Sequence, residues 1–419
     1  MKTVYKLILI PILFSFLISL HNAAQAQVSS TYKTVNGIIK DATTKKRVDH
    51  VNISIANTNI GTITNEDGEF ILKISDSIES KELLITRLGY KNKLMPLNIG
   101  QTQLEIFLAP EVTQLAEVLV ESANPAEIVK KAIDKIADNY SKTPNLLTGF
   151  YRETAQKRSE YITISEAVTN IYKTAYNEDE TRDKVQVYKG RTLLSPKLSD
   201  TIVVKLQGGP NIAKYLDVIK NGDFILDAET IHFYDYRLSG TTIIDNRLHY
   251  VIEFEPRLTI EYPLYYGKHF IDKESLAFSR TELSLDMGDK DKAKKMILVK
   301  SPSKMRFQPI SLNSLITYHT KEGKSYLNYI QSEIKFKCNW KRFFYIFAPT
   351  YTITSEVVIT DRKTENVKSF SSKVAFGDKQ TLLDKIETFY DPDFWEGYNI
   401  IAPTESLENA VNKLKKQYK

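Results

Sequence analysis

The chain has 419 residues, 57 Lys and Arg against 51 Asp and Glu, a net charge of +6 and a single cysteine. One cysteine excludes an intrachain disulfide, and basic residues spread without a stripe argue against nucleic acid as a partner. This length exceeds what one compact core organises and predicts two domains.

Met1-Lys2-Thr3 and Lys6 give a positive start, Leu7 to Leu20 is almost wholly apolar, and Ala24-Gln25-Ala26 puts small residues where a signal peptidase reads them. The apolar run is about 14 residues, against the roughly 20 that span a bilayer. Residues 1–26 therefore read as a signal peptide, the alternative being a retained N-terminal anchor. Losing Lys2 and Lys6 lowers the charge of the mature chain to +4. No cysteine near the cut offers a lipid attachment point, and no later segment reaches transmembrane length without charge.

Residues 33–109 are a procession of short alternating strands. Val35 to Ile39 leads to a polar turn after Asp41, and Val51, Ile53 and Ile55 share one face because strand side chains alternate. Asp67-Gly68 between Thr62–Thr64 and Phe70–Leu72 predicts a β-hairpin, since Gly accepts the positive φ of a tight turn. Leu83–Ile85, Leu88–Tyr90 and Gln103–Leu108 complete six or seven strands, the pattern of a β-sandwich. Asn65, Glu66 and Asp67 read as a solvated turn, because a calcium cage needs six or more ligands.

Gly37, Asp41, Val51-x-Ile53-x-Ile55, Gly61-Thr-x-Thr64-x-x-Asp67-Gly68-x-Phe70 and Leu88-Gly89-Tyr90 together resemble the carboxypeptidase-regulatory-like domain. That is a transthyretin-like sandwich found in front of many TonB-dependent outer-membrane receptors and related envelope proteins. Leu115 to Val120 is similar to the strand that follows it in the family, whereas Val48-Asp49 departs from the family's Pro and aliphatic residue. The resemblance implies an envelope location, in the periplasm or at the periplasmic face of the outer membrane. It implies no catalytic groups within this domain.

Residues 110–124 read as a linker and 125–403 as a second, antiparallel β domain with a leading helix. Asn124 is an N-cap and Pro125 suits the first turn. Ile128, Val129, Ala132, Ile133, Ile136 and Tyr140 then form one apolar stripe. Strands are predicted at 147–152, 161–164, 185–188, 241–244, 248–254, 264–271, 278–285, 296–300, 325–334 and 351–359, with short helices or loops between about 190 and 235, including a helical piece over 212–219. Long alternating strands make a curved, half-barrel-like sheet with one apolar face. The order of helix and sheet, with Gly267-Lys-His-Phe-Ile-Asp-Lys-Glu-Ser-Leu-Ala277, resembles periplasmic lipoprotein carriers. That resemblance implies an apolar concavity for an acyl chain or peptide; the alternative is a packed core.

Phe389 to Ile401 places five aromatics within ten residues, suited either to recognition or to wedging a loop onto its own domain. Residues 404–419 predict a C-terminal helix with Leu407, Val411 and Leu414 on its apolar side. Catalytic signatures are missing. A zinc peptidase needs His-x-x-Glu and a distant third His, and only His319-Thr-Lys-Glu322 fits the first part, with no His after it. His232-x-x-Asp235 and His269-x-x-Asp272 lie in apparent strands, where such spacing points to opposite faces. Gly-x-Ser-x-Gly and phosphate-binding loops are absent, and Cys338 reads as a buried structural thiol. No catalytic, cofactor or metal residue is assigned.

The chain is therefore expected to be mainly β and non-enzymatic, binding an outer-membrane or periplasmic protein or a lipid or acyl ligand. The alternative is a peptidase- or glycosidase-type hydrolase with an acidic site in the second domain.

Overall fold

The computed structural model describes residues 32–80, 82–97, 103–111, 124–202, 204–222, 225–227, 229–340, 348–378, 380, 382 and 392–416. The predicted signal peptide, most of the linker with its Leu115–Val120 strand, and the first aromatics of the 389–401 segment lie outside these residues.

Seven strands come first: β1 (Tyr32–Asp41), β2 (Asn52–Ile55), β3 (Gly61–Ile63), β4 (Glu69–Ser75), β5 (Glu82–Thr86), β6 (Lys93–Pro96) and β7 (Gln103–Leu108). They form two sheets, β4-β1-β7 and β3-β2-β5-β6, with β1 and β7 parallel. Alternation turns Ile39, Ile53, Ile55, Phe70, Leu72 and Ile85 into one shared core, which makes the predicted sandwich. Val48, at the departure from the family pattern, is buried in the same core. A Cβ on Gly37 would lie 2.4 Å from the Phe70 ring, so the ring packs directly on backbone.

The predicted hairpin at Asp67-Gly68 is instead a corner between the layers. β3 pairs with β2 while β4 pairs with β1, in opposite sheets. Asn65 makes the bend, its side-chain oxygen accepting the amides of Asp67 and Glu69 at 2.9 and 2.8 Å while Gly68 takes a φ of 68°.

The predicted helix begins as α1 (Pro125–Asp134), where the Asn124 side chain accepts from the Ala126 amide. It breaks at Lys135 and resumes as α2 (Ile136–Asn139). There follow β8 (Asn145–Lys157), β9 (Glu160–Lys173), β10 (Lys184–Leu194), β11 (Lys205–Leu206), α3 (Ile212–Tyr215), β12 (Tyr234–Ile244), β13 (Arg247–Pro256), β14 (Tyr265–Asp272) and β15 (Phe278–Leu285). The chain ends with α4 (Lys290–Ile297), β16 (Leu298–Lys300), β17 (Met305–Lys321), β18 (Lys324–Trp340), β19 (Thr350–Lys363) and α5 (Glu405–Lys416). Ten strands form one open antiparallel sheet, ordered β10-β9-β8-β19-β18-β17-β15-β14-β13-β12, and β11 pairs only with β16. The strand predicted over 296–300 is shortened: Met296 and Ile297 end α4, which Asp289 caps by accepting the amides of Asp291 and Lys292, and Leu298–Lys300 is strand β16.

One face of the sheet is apolar, and Tyr151, Ile252, Phe254, Leu283, Ile330 and Phe336 are buried there in one cluster with residues of α1, α3, α4 and the stretch 216–226. Buried charges pin that covering stretch. Lys173 Nζ lies 2.7 Å from Asp217 and 3.3 Å from Asp183, Lys220 Nζ lies 2.9 Å from Asp183, and the Tyr176 and Tyr318 hydroxyls donate to Asp217. Burial opposes the charge on Lys173, but Asp217 and Asp183 outweigh it and raise its pKa. Of the two sequence readings of this face, packed core is the one found.

The other face carries the chain end and the sandwich. Trp395 is 1% exposed, meets Phe150 edge-on at 5.3 Å, and clusters with Ile63, Val168, Tyr329, Val358 and Ile401. The aromatic segment is thus a wedge. Beyond it, Thr62 Oγ1 donates to the Ile400 carbonyl (2.8 Å) and Asn65 Nδ2 to that of Pro403 (2.9 Å). The Asn399 side chain brackets the Lys73 backbone, accepting from its amide at 2.6 Å and donating to its carbonyl at 3.1 Å. α5 then packs Leu407, Val411 and Leu414 on Ile164 and Leu193.

Two reactive side chains are sealed beneath the apolar face. Burial pushes the Cys338 thiol up to about 11. His269 is fully buried, stacked on Phe254 at 4.4 Å with Nδ1 3.1 Å from Thr281 Oγ1, and burial lowers its pKa to about 3. The folded chain keeps this imidazole neutral where the unfolded chain, with a pKa of about 6.5, already binds a proton. Its neutral form is therefore accommodated at no cost above that value, and stability falls as pH drops from about 6.5 towards 3, by up to about 1.4 kcal/mol per pH unit from this group. His269→Phe is expected to flatten that slope, read from urea midpoints between pH 7 and pH 4. In the same assay at pH 7, Trp395→Ala is expected to cost about 3–5 kcal/mol, as large aromatic truncations in cores do.

Candidate binding groove

Beside the docked sandwich, the second face of the sheet is open. A groove of about 1140 Å³ crosses it, lined by Asp235 and Arg237 of β12, Glu253 and Glu255 of β13, Lys268 of β14, Glu282 of β15, Asn313 of β17, Glu333 of β18 and Thr354 of β19. Glu66, from the corner of the sandwich, forms part of the wall. The lining follows from strand alternation: on β15, Leu283 enters the apolar core while Glu282 and Ser284 flank the groove. Seven adjacent strands at about 4.8 Å spacing make a trough roughly 29 Å long, the span of about eight or nine extended residues.

The lining is acidic. Glu66, Asp235, Glu253, Glu255, Glu282, Asp286 and Glu333 face only Arg237 and Lys268 among the lining residues. Both cations are held by Glu253, Lys268 at 3.1 Å and Arg237 in close contact. Glu282 pairs with Arg280 at 2.7 Å and Glu333 with Lys335 at 2.9 Å. Among the described residues, no side-chain hydrogen bond or ion pair engages the carboxyl of Glu66 or Glu255. Partial desolvation first, and the Glu356 carboxylate next, raise the Glu66 pKa.

Behind the groove wall lies a buried charge network. Glu166 sits between Arg152 (2.8 Å) and Arg191 (2.7 Å), and Arg152 also donates to the carbonyls of Ile401 (2.7 Å) and Ala402 (3.3 Å). Burial works to raise the Glu166 pKa, yet the two guanidiniums hold it below the usual value. Arg152 lies 3.5 Å from Glu356, which accepts from the Tyr329 hydroxyl at 2.9 Å. The Arg191 guanidinium lies 4.8 Å from the Trp395 ring.

The histidines considered from sequence do not converge. His319 Nδ1 lies 3.6 Å from Asp245, and Glu322 sits in the β17–β18 turn with a φ of 52°. His232 lies in a one-turn helix before β12 rather than in a strand, with Asp235 on the groove rim. Asp272 accepts the amides of Glu274 and Ser275, forming the turn of the Ile-Asp-x-x-Ser motif. His249 Nε2 is 2.7 Å from Ser279 Oγ, but its Nδ1 faces the Arg247 carbonyl at 2.8 Å and Asp272 lies 3.8 Å from Nε2. A serine nucleophile needs its carboxylate on Nδ1, so these buried groups are no triad. Among the described residues, no three His, Cys, Asp or Glu are grouped to hold a metal ion, and no helix is long and apolar enough to cross a membrane. Sequence reasoning missed the groove carboxylates, and it missed the Arg152–Glu166–Arg191 network, whose one signal is charge within otherwise apolar strands.

Comparison with solved structures finds remote likenesses. A DUF1329 family protein from Desulfovibrio piger is 12% identical, covering 59% of this chain and 96% of that one, with a TM-score of 0.25. An outer membrane lipoprotein-sorting protein domain from Vibrio parahaemolyticus is 9% identical, covering 58% and 94%, with a TM-score of 0.25. A LolA superfamily protein from Nitrosomonas europaea is 14% identical, covering 62% and 100%, with a TM-score of 0.23. Lipoprotein-carrier-type proteins thus stand among the neighbours, at a likeness too low to bear on function. No curated protein sequence matches the chain. Residues 35–120 match the sequence profile of the CarboxypepD_reg-like domain, the family whose motifs the N-terminal segment carries.

Proposed function

We propose that the chain is an exported, non-enzymatic protein of the cell envelope, and that its groove binds an extended, positively charged segment of a partner protein. The observation that carries this reading is the groove itself, a trough across seven strands whose carboxylates outnumber its cations. Such a lining concentrates cationic ligands and speeds their association at low salt. The charged start, apolar run and small residues before Gln27 support export, and the CarboxypepD_reg-like domain supports an envelope setting. An acyl ligand is the less favoured partner, because the apolar face is occupied by its own covering residues.

The hydrolase reading keeps one observation in its favour, the raised pKa of Glu66 beside other carboxylates. The two readings separate in one titration. The mature chain is titrated calorimetrically with a decapeptide of alternating Lys and Ser, and with its Glu-for-Lys counterpart. Binding of the Lys peptide alone is expected, weakening as salt rises. Asp235→Lys combined with Glu255→Lys, two exposed rim positions, is expected to weaken it at least tenfold. Equal binding of both peptides, or none, contradicts the proposal. Cleavage of a polysaccharide or peptide by the wild-type chain that disappears in Glu66→Gln favours the hydrolase.

A further inference from the structure

We infer, resting on that reading of the groove, that the bound cationic segment also clamps the sandwich to the sheet, with Glu66 as the sandwich's half of the clamp. Among the described residues, all other lining residues come from position 235 onwards, so Glu66 is the lining residue that the sandwich contributes. It projects from the Asn65–Glu69 corner, the part of the sandwich held by the chain end through Asn65 and the Ala402 and Pro403 carbonyls. The groups acting on Glu66 are mostly of its own sign: Glu356 of β19, and Asp49 and Asp67 of the sandwich, with His50 acting the other way. Glu356 cannot turn away, since Arg152 and Tyr329 hold its two oxygens.

Glu66 and Glu356 therefore place like charges on the two sides of the seam. A ligand cation between Glu66 and the sheet carboxylates replaces that repulsion with two attractions, one to each body. A ligand that binds the docked arrangement better than the undocked one stabilises docking by the same factor by which docking strengthens its binding. Glu255, at the far end of the trough on β13, offers a cation site belonging to the sheet alone.

The test uses the full mature chain, the Lys-Ser decapeptide, calorimetry, and hydrogen exchange at two seam amides. These are Lys73, which donates to the Asn399 side chain, and Glu405, which donates to Asp67. Saturating peptide is expected to slow both amides at least tenfold in the wild type. In Glu66→Gln, affinity is expected to fall about three- to tenfold, with no slowing of the seam at saturation. In Glu255→Gln, affinity is expected to fall while the seam still slows once peptide saturates. Binding with no change at the seam in the wild type overturns the clamp and leaves the groove reading intact. So does equal slowing in wild type and Glu66→Gln. Absence of binding to the wild type overturns the groove reading and the clamp with it.

Discussion

Arg152, buried on β8 of the large sheet, is the constraint on which the arrangement depends. Burying a guanidinium costs several kcal/mol unless its donors are satisfied. Here Glu166 takes one edge of it, and the carbonyls of Ile401 and Ala402 take the other. Glu166 is satisfied in turn by Arg191, which packs against Trp395. Replacing such a network by apolar side chains is often neutral for stability, so its effect is better sought in placement. It fixes where the chain end crosses the sheet. The chain end fixes the sandwich through Thr62, Asn65 and Lys73, and the sandwich brings Glu66 to the groove.

A single alternating pattern gives the sheet its two unlike faces. Residues such as Leu283 and Ile330 face the helices and the cover pinned by Lys173 and Asp217, leaving that side packed. Their neighbours Glu282 and Gln331 face the other way. Near β8 and β19 this second face is apolar enough to receive Ile63 and Trp395, and towards β12 it becomes acidic and stays open. Docking and binding thus share one surface, divided by composition along the strand order. Asn59 marks part of the boundary, donating to the Arg362 carbonyl at 2.9 Å and accepting from Lys321 and Arg362 at 3.0 Å each.

Much of the fold was legible in the residues. Period-two patterns located the sandwich core, and Asn124-Pro125 located the start of α1. The failures have physical causes. Asp67-Gly68 is a sound hairpin signal locally, but Asn65 spends its side chain on the amides of a corner and on a distant chain end, which no local pattern reveals. Met296 to Lys300 alternates like a strand, yet α4, capped by Asp289, runs on through Met296 and Ile297 and leaves Leu298–Lys300 as the strand. The groove was not legible at all. Its walls come from positions as far apart as Glu66 and Thr354, and each carboxylate alone resembles an ordinary solvated strand residue. Only the register across seven strands brings them together.

The most direct test of the central claim is amide hydrogen exchange in Arg152→Met, a change that keeps bulk and removes the charged donors. If Arg152 seats the chain end, the amides of Lys73 and Leu407 are expected to exchange at least tenfold faster, while the β13–β15 ladder keeps its protection. Unchanged protection at Lys73 and Leu407, in a variant whose β13–β15 ladder is intact, would show that the sandwich is held by something else.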